Sequence, residues 1–88
     1  MDRGEFEATL AKEGFAQIVA VERDPDGFLD LHTHPFEAKA LILSGEIRIR
    51  TGGVEQAYRA GEVFHLPANE PHSEWYGPTG VVYLVGRR

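Results

Sequence analysis

A small all-β barrel or sandwich, entered through one short helix, is the fold class this chain predicts. Three observations carry that expectation. From Phe15 onward apolar residues fall in short runs, some with clean alternation, as in Glu46-Ile47-Arg48-Ile49-Arg50. The runs are separated at regular intervals by turn-forming clusters: Asp24-Pro25-Asp26-Gly27, Thr51-Gly52-Gly53, Pro67-Ala68-Asn69-Glu70-Pro71 and Gly77-Pro78-Thr79-Gly80. No repeat, low-complexity stretch or linker interrupts the pattern, so residues 1–88 are expected to form a single domain.

Each element has its own reason. Residues 4–13 read as a helix, because Phe6 and Leu10, with Ala11 beside them, lie at helical spacing and Gly14 follows as a stop. Phe15 to Arg23 is a strand that ends in the first turn cluster. Phe28 to His34 is the next, broken by Pro35. Ala38 to Leu43 is apolar enough to be buried, Ser44-Gly45 bends the chain, and Glu46 to Arg50 alternates. Gly52-Gly53 makes the hairpin turn to Val54–Arg59. Val63–Leu66, His72–Tyr76 and Val81–Val85 complete eight short strands. The last, Val81-Val82-Tyr83-Leu84-Val85, is apolar on both faces, so its second face is expected to be covered by the N-terminal segment or by a second subunit.

Composition excludes several function classes. A chain of 88 residues without cysteine has neither disulfides nor thiolate metal sites to reinforce a small core. Self-association, a homodimer in the first place, or a bound metal is the expected reinforcement. The formal net charge of −5 disfavours nucleic acid as a partner. No apolar run approaches the roughly 18–20 residues of a membrane span. Met1-Asp2-Arg3-Gly4-Glu5 lacks the apolar core of a signal peptide, so the expected location is cytoplasmic. No Walker-type phosphate loop is present, and Thr33 and Ser73 lack the elbow that a nucleophile needs.

The chemistry concentrates in three of the four histidines. His32 and His34 sit two apart in an alternating segment, and residues i and i+2 of a strand share a face. One strand can thus aim two imidazoles at one point, and His72 from a neighbouring strand would complete a facial set. Three convergent imidazoles suit a divalent first-row ion (iron, manganese, nickel or zinc).

These residues resemble the two motifs of the cupin superfamily, small double-stranded β-helix (jelly-roll) barrels. The first motif, G-x5-H-x-H-x3/4-E-x6-G, is matched by Gly27, His32, His34 and Gly45, with four rather than five residues between Gly27 and His32. The second, G-x5-P-x-G-x2-H-x3-N, is met by Gly61, Pro67 and His72. Asn69 stands where the second motif has glycine and tolerates a left-handed backbone; Tyr76 replaces its terminal asparagine. Where the first motif places its glutamate this chain has Ala38, with Glu37 one residue earlier. Three coordination sets stay open: the histidine trio with Glu37 at a local bulge, the trio with Glu74 directly or through water, and the trio alone. A metal-free pocket with the histidines as polar groups is the alternative to all three.

Alternation assigns the neighbours. Ala38, Ala40 and Ile42 are expected to line the barrel. Glu74 and Tyr76 share parity with His72, giving the pocket a candidate general base and a candidate phenol donor, the two catalytic candidates. Phe64 and Leu66 are assigned inward and His65 outward. Trp75 and Phe36 read as core or subunit contacts, and Phe6, Phe15 and Phe28 as packing. The resemblance implies a small metal-dependent enzyme, dioxygenase- or isomerase-like, acting on a small molecule. A non-catalytic module that binds or senses a small molecule is the other class.

Overall fold

The first helix forms because both of its ends are capped. In this computed structural model, which describes residues 1–88, α1 (Arg3–Glu13) begins at Asp2, whose carboxylate accepts the Glu5 backbone N–H at 2.8 Å. It ends at Gly14 in the left-handed region (φ 84°), where the N–H groups of Gly14 and Phe15 donate to the carbonyls of Ala11 and Leu10. Phe6 and Leu10 are its only buried side chains. They form a second core cluster with Phe15, Leu41 and Leu84. The helix therefore covers the outer face of the last strand, and the N-terminal segment is the cover expected for that doubly apolar run.

All eight expected strand segments are present, but two pairs of them are continuous. The strands are β1 (Gln17–Arg23), β2 (Phe28–His32), β3 (Ala38–Thr51), β4 (Val54–Arg59), β5 (Val63–Leu66) and β6 (His72–Arg87). Phe15, expected to open β1, packs under the helix instead. Both long strands bend and serve two antiparallel sheets. In one, β1, the second half of β6, the first half of β3 and β5 lie side by side. In the other, β2, the first half of β6, the second half of β3 and β4 do. This is the double-stranded β-helix the sequence predicts.

The bends fall at the expected turn residues. The β3–β6 register slips between Ile42 and Ser44 and again between Gly45 and Ile47. Gly45 has φ 79°, and a Cβ there would lie 2.0 Å from the Gly80 carbonyl oxygen. The two strands can cross the corner together only if this position has no side chain. Between the sheets lies the main core, in which Ala38, Ala40, Ile42, Phe64, Leu66, Tyr83 and Val85 of one sheet cluster with Ile47, Ile49 and Tyr76 of the other. Their alternation sets the inward face of every strand that reaches the site.

Candidate metal centre

His32 is the last residue of β2 and pairs directly across the ladder with His72, the first residue of β6. Glu74, two residues further, points to the same face. His34 lies beyond the end of β2, in the connection to β3, and its placement depends on a second loop. Its carbonyl accepts the Asn69 N–H at 2.8 Å, and Asn69 holds φ 63°. The asparagine at the motif's glycine position thus ties the two histidine-bearing segments together. Ligand atoms of His32, His34, His72 and Glu74 all lie within 4.8 Å of one another. Donors around one ion at roughly 2.0–2.2 Å stand roughly 3–4 Å apart, so the cluster is close to the required size.

The hydrogen bonds orient the rings for a cation. His32 Nδ1 lies 2.6 Å from the Asp30 carbonyl, and His72 Nδ1 lies 2.9 Å from the Glu70 carbonyl. A carbonyl only accepts, so each Nδ1 carries a hydrogen, which leaves each Nε2 as the ring atom free to offer a lone pair to a metal. Both Nε2 atoms lie 3.2 Å from Glu74 Oε2, itself an acceptor. His32 Nε2 is buried with no hydrogen-bond partner. Lone pairs converging in a buried place are stable only around a positive charge, and a ring N–H bound to a backbone carbonyl is the usual outer support of a metal-ligating histidine. The residues present fit a divalent ion.

Electrostatics agree with that use. Burial first, then the neighbouring His32 and His72, hold His34 below the ordinary histidine range. Burial pushes the Tyr76 phenol up to about 12, with Glu74 adding to the effect and Arg23 opposing it. Tyr76 is therefore protonated at neutral pH and can donate to Glu74 Oε1 at 3.4 Å. A pH dependence follows. Folded His34 binds its proton less readily than the unfolded chain does, so its stabilising contribution is present above the usual value of 6.5 and is lost as pH falls below it. Glu37, held low by Arg88 and His65, adds the same sign below its usual 4.5. Thermal melts of the metal-free protein should show Tm declining once pH drops below about 6.5. A Tm that is flat or rising from about pH 7.5 to 5.5 would contradict this.

The expectation for Glu37 is not met by the geometry. Its backbone pairs both ways with Arg88, at 2.9 and 3.1 Å, extending the β3–β6 ladder. Strict alternation therefore holds: Ala38 faces the core and Glu37 the opposite side. There its carboxylate accepts from Arg88 Nε at 2.6 Å and meets His65 Nε2 at 2.5 Å. His65 is outward and half exposed, as its parity required. Glu74 occupies the carboxylate position of the cluster instead. Phe28 and Trp75 pack on each other, ring centroids 4.9 Å apart, on an outer surface. Phe36 stacks on His34 at 5.0 Å and 16°, so it is a wall of the site as well as a core contact.

Beside the cluster lies a cavity of about 60 Å³, lined by His34, His72, Glu74 and Phe36 and by two residues not anticipated from the sequence, Arg23 and Arg87. A signal for both existed. Arg23 continues the inward row Val19, Val21, and Arg87 continues Val81, Tyr83, Val85. A larger cleft of about 240 Å³ between β3, β4 and β5 shares Phe64 and Leu66 but none of the cluster residues.

The Cupin domain family model matches residues 19–84. No curated protein matches the chain. Among solved structures it is similar to an RmlC-like cupin from Shewanella frigidimarina, at 22% identity and TM-score 0.70, covering 81% of this chain and 63% of that one. It is also similar to the DMSP lyase DddQ from Ruegeria pomeroyi, at 24% identity and TM-score 0.73, covering 81% of this chain but 36% of that one. Drosophila melanogaster CENP-C bound to CAL1 is similar at 16% identity and TM-score 0.70, covering 83% of this chain and 62% of that one. The chain thus spans less than two thirds of each of these proteins, and at such identities the likeness is one of fold. The family model, in contrast, runs from the inward row of β1 through both histidine segments to the last strand, and on that match the chain belongs to the cupin domain family.

Proposed function

We propose that this cupin holds one divalent transition-metal ion through His32, His34, His72 and Glu74, and uses it in a dioxygenase- or isomerase-like reaction on a small molecule in the adjoining cavity. The observation that carries the reading is the buried, unpartnered Nε2 of His32, facing the Nε2 of His72 and a carboxylate oxygen with both Nδ1 hydrogens already engaged. A bound divalent ion supplies Lewis acidity toward an oxygen of the substrate. Glu74 divides its work: Oε2 faces the two ring nitrogens of the cluster, while Oε1 lies toward the Tyr76 hydroxyl. Tyr76 keeps its proton at neutral pH and so acts in this reading as a donor beside the carboxylate. Phe36 and the barrel wall keep bulk water from these groups, which strengthens each polar contact.

A homodimer and a cytoplasmic setting remain part of the reading. No helix is long and apolar enough to cross a membrane. Phe28, Leu29 and Leu31, exposed on β2, offer apolar area for self-association. The non-catalytic alternative draws support from CENP-C, a protein of the same fold seen bound to another protein.

Elemental mass spectrometry on protein purified without a histidine tag tests the metal. About one iron, manganese, nickel or zinc per chain is expected, with a higher Tm than the chelator-treated form. Protein that is metal-free and takes up no added metal would refute the site and favour a binding barrel. Turnover screens with the identified metal then separate enzyme from binding module.

A further inference from the structure

We infer that the cavity beside the histidine cluster is built for a small organic carboxylate, recognised by Arg87 together with Arg23. The inference rests on the proposed reading of this cavity as a ligand site and deepens it by naming the substrate class.

Arg87 carries most of the argument. Its Nε is buried and has no hydrogen-bond partner. A buried donor left unpaired is costly, the more so when charged, so such a group normally has a partner in the working state. The guanidinium lies over the Phe36 ring at 4.9 Å, and Phe36 in turn stacks on His34. This column fixes the plane of the guanidinium without using its N–H groups. An arginine held by its face, with its edge free, is arranged to bind a planar carboxylate.

Charge points the same way. Arg3, Arg48, Arg59 and Arg88 each pair with a carboxylate of the chain, whereas Arg23, Arg50 and Arg87 pair with none, and of these three only Arg23 and Arg87 line the cavity. The one acidic group of the cavity, Glu74, belongs to the cluster proposed to hold the ion, so its charge is directed to that ion. Two positive charges are thus left uncompensated along a wall that is otherwise largely apolar, with Leu29, Ala38 and Val85 among its residues. In such surroundings an anion gains more than it would in water. The volume of about 60 Å³ holds only a few heavy atoms, which favours a small acid over a nucleotide or a polymer.

NMR titration of ¹⁵N-labelled protein, with and without one equivalent of zinc, tests the inference. The probes are acetate and succinate, their neutral amides, and inorganic phosphate. Carboxylates are expected to saturate and to shift the Arg87 Nε–H resonance, with the amides at least about tenfold weaker. Arg87→Gln should weaken carboxylate binding about tenfold or more, and Arg87→Lys should restore part of the loss by keeping the charge without the fork. Arg50→Gln, at an exposed arginine outside the cavity, should change nothing. Equal binding of acids and amides, tighter binding of phosphate than of either carboxylate, or indifference to Arg87→Gln would each overturn it. Should an Arg87 variant not fold, the wild-type comparison of acid with amide decides alone. Carboxylate binding that depends on Arg87 in a chain unable to take up zinc would leave this inference standing and the metal reading refuted. Zinc uptake without any carboxylate response would do the reverse.

Discussion

Replacing His32 and His34 together with alanine is expected to lower metal retention from about one ion per chain to nearly none while leaving the barrel folded. Structural zinc sites bind with roughly 10–16 kcal/mol from about four ligands, so losing two should weaken affinity by about a thousandfold or more. The fold should survive because both side chains lie outside the two core clusters. Metal content, circular dichroism and urea denaturation on the same preparations check this, with metal-free stability expected within about 1 kcal/mol of the parent. Two further variants locate the carboxylate. Glu74→Gln should weaken metal binding, since its Oε2 lies 3.2 Å from two ring nitrogens, whereas Glu37→Gln should not, since that carboxylate belongs to Arg88 and His65. Unchanged metal content in the double mutant would sink the assigned site.

Gly45→Ala should be among the most destabilising single changes in the chain, costing about 3 kcal/mol or more. Two separate penalties act there. The backbone sits at φ 79°, which an alanine adopts only with strain, and the new methyl would lie 2.0 Å from the Gly80 carbonyl oxygen. Neither backbone can yield easily, because the corner carries β3 and β6 from one sheet into the other. Gly52→Ala is the matched control. Gly52 also has positive φ (54°), but nothing lies within 4 Å of its would-be Cβ, so only the conformational penalty of about 1 kcal/mol remains. Urea midpoints for the two variants measure the difference. Equal losses would show that the close approach at the corner contributes nothing.

Local signals in this chain are strong, and the elements that depend on them were legible. Gly14 stops the helix, the Gly52-Gly53 pair sets its hairpin, and alternation gives Ala38, Ala40, Ile42, Phe64 and Leu66 their inward face. The spacing of His32, His34 and His72 similarly announced that three imidazoles meet, because the motif separation matches a known pattern, although His34 lies past the end of β2 and is placed by the Asn69 loop rather than by strand alternation. The fusion of segments into two long bent strands was not legible. Ser44-Gly45 and Gly77-Pro78-Thr79-Gly80 are chemically ordinary turns, and only their packing against each other makes them corners within continuous strands.

The sequence by itself determined the fold class and the strand faces, since each follows from periodicity and backbone preference over a few residues, and it announced the histidine trio through motif spacing, while the Asn69 contact decided where His34 sits. The tertiary structure decided what depends on distant partners. Pairing with Arg88 fixed the parity of Glu37 and turned it away, so that Glu74 became the carboxylate of the cluster. Docking of Phe6 and Leu10 decided that the helix covers the outer face of β6. Stacking on Phe36 left Arg87 as an unpaired charge at the cavity wall. In each case the side chain's role was set by which group, remote in sequence, came to face it, and no local pattern contains that information.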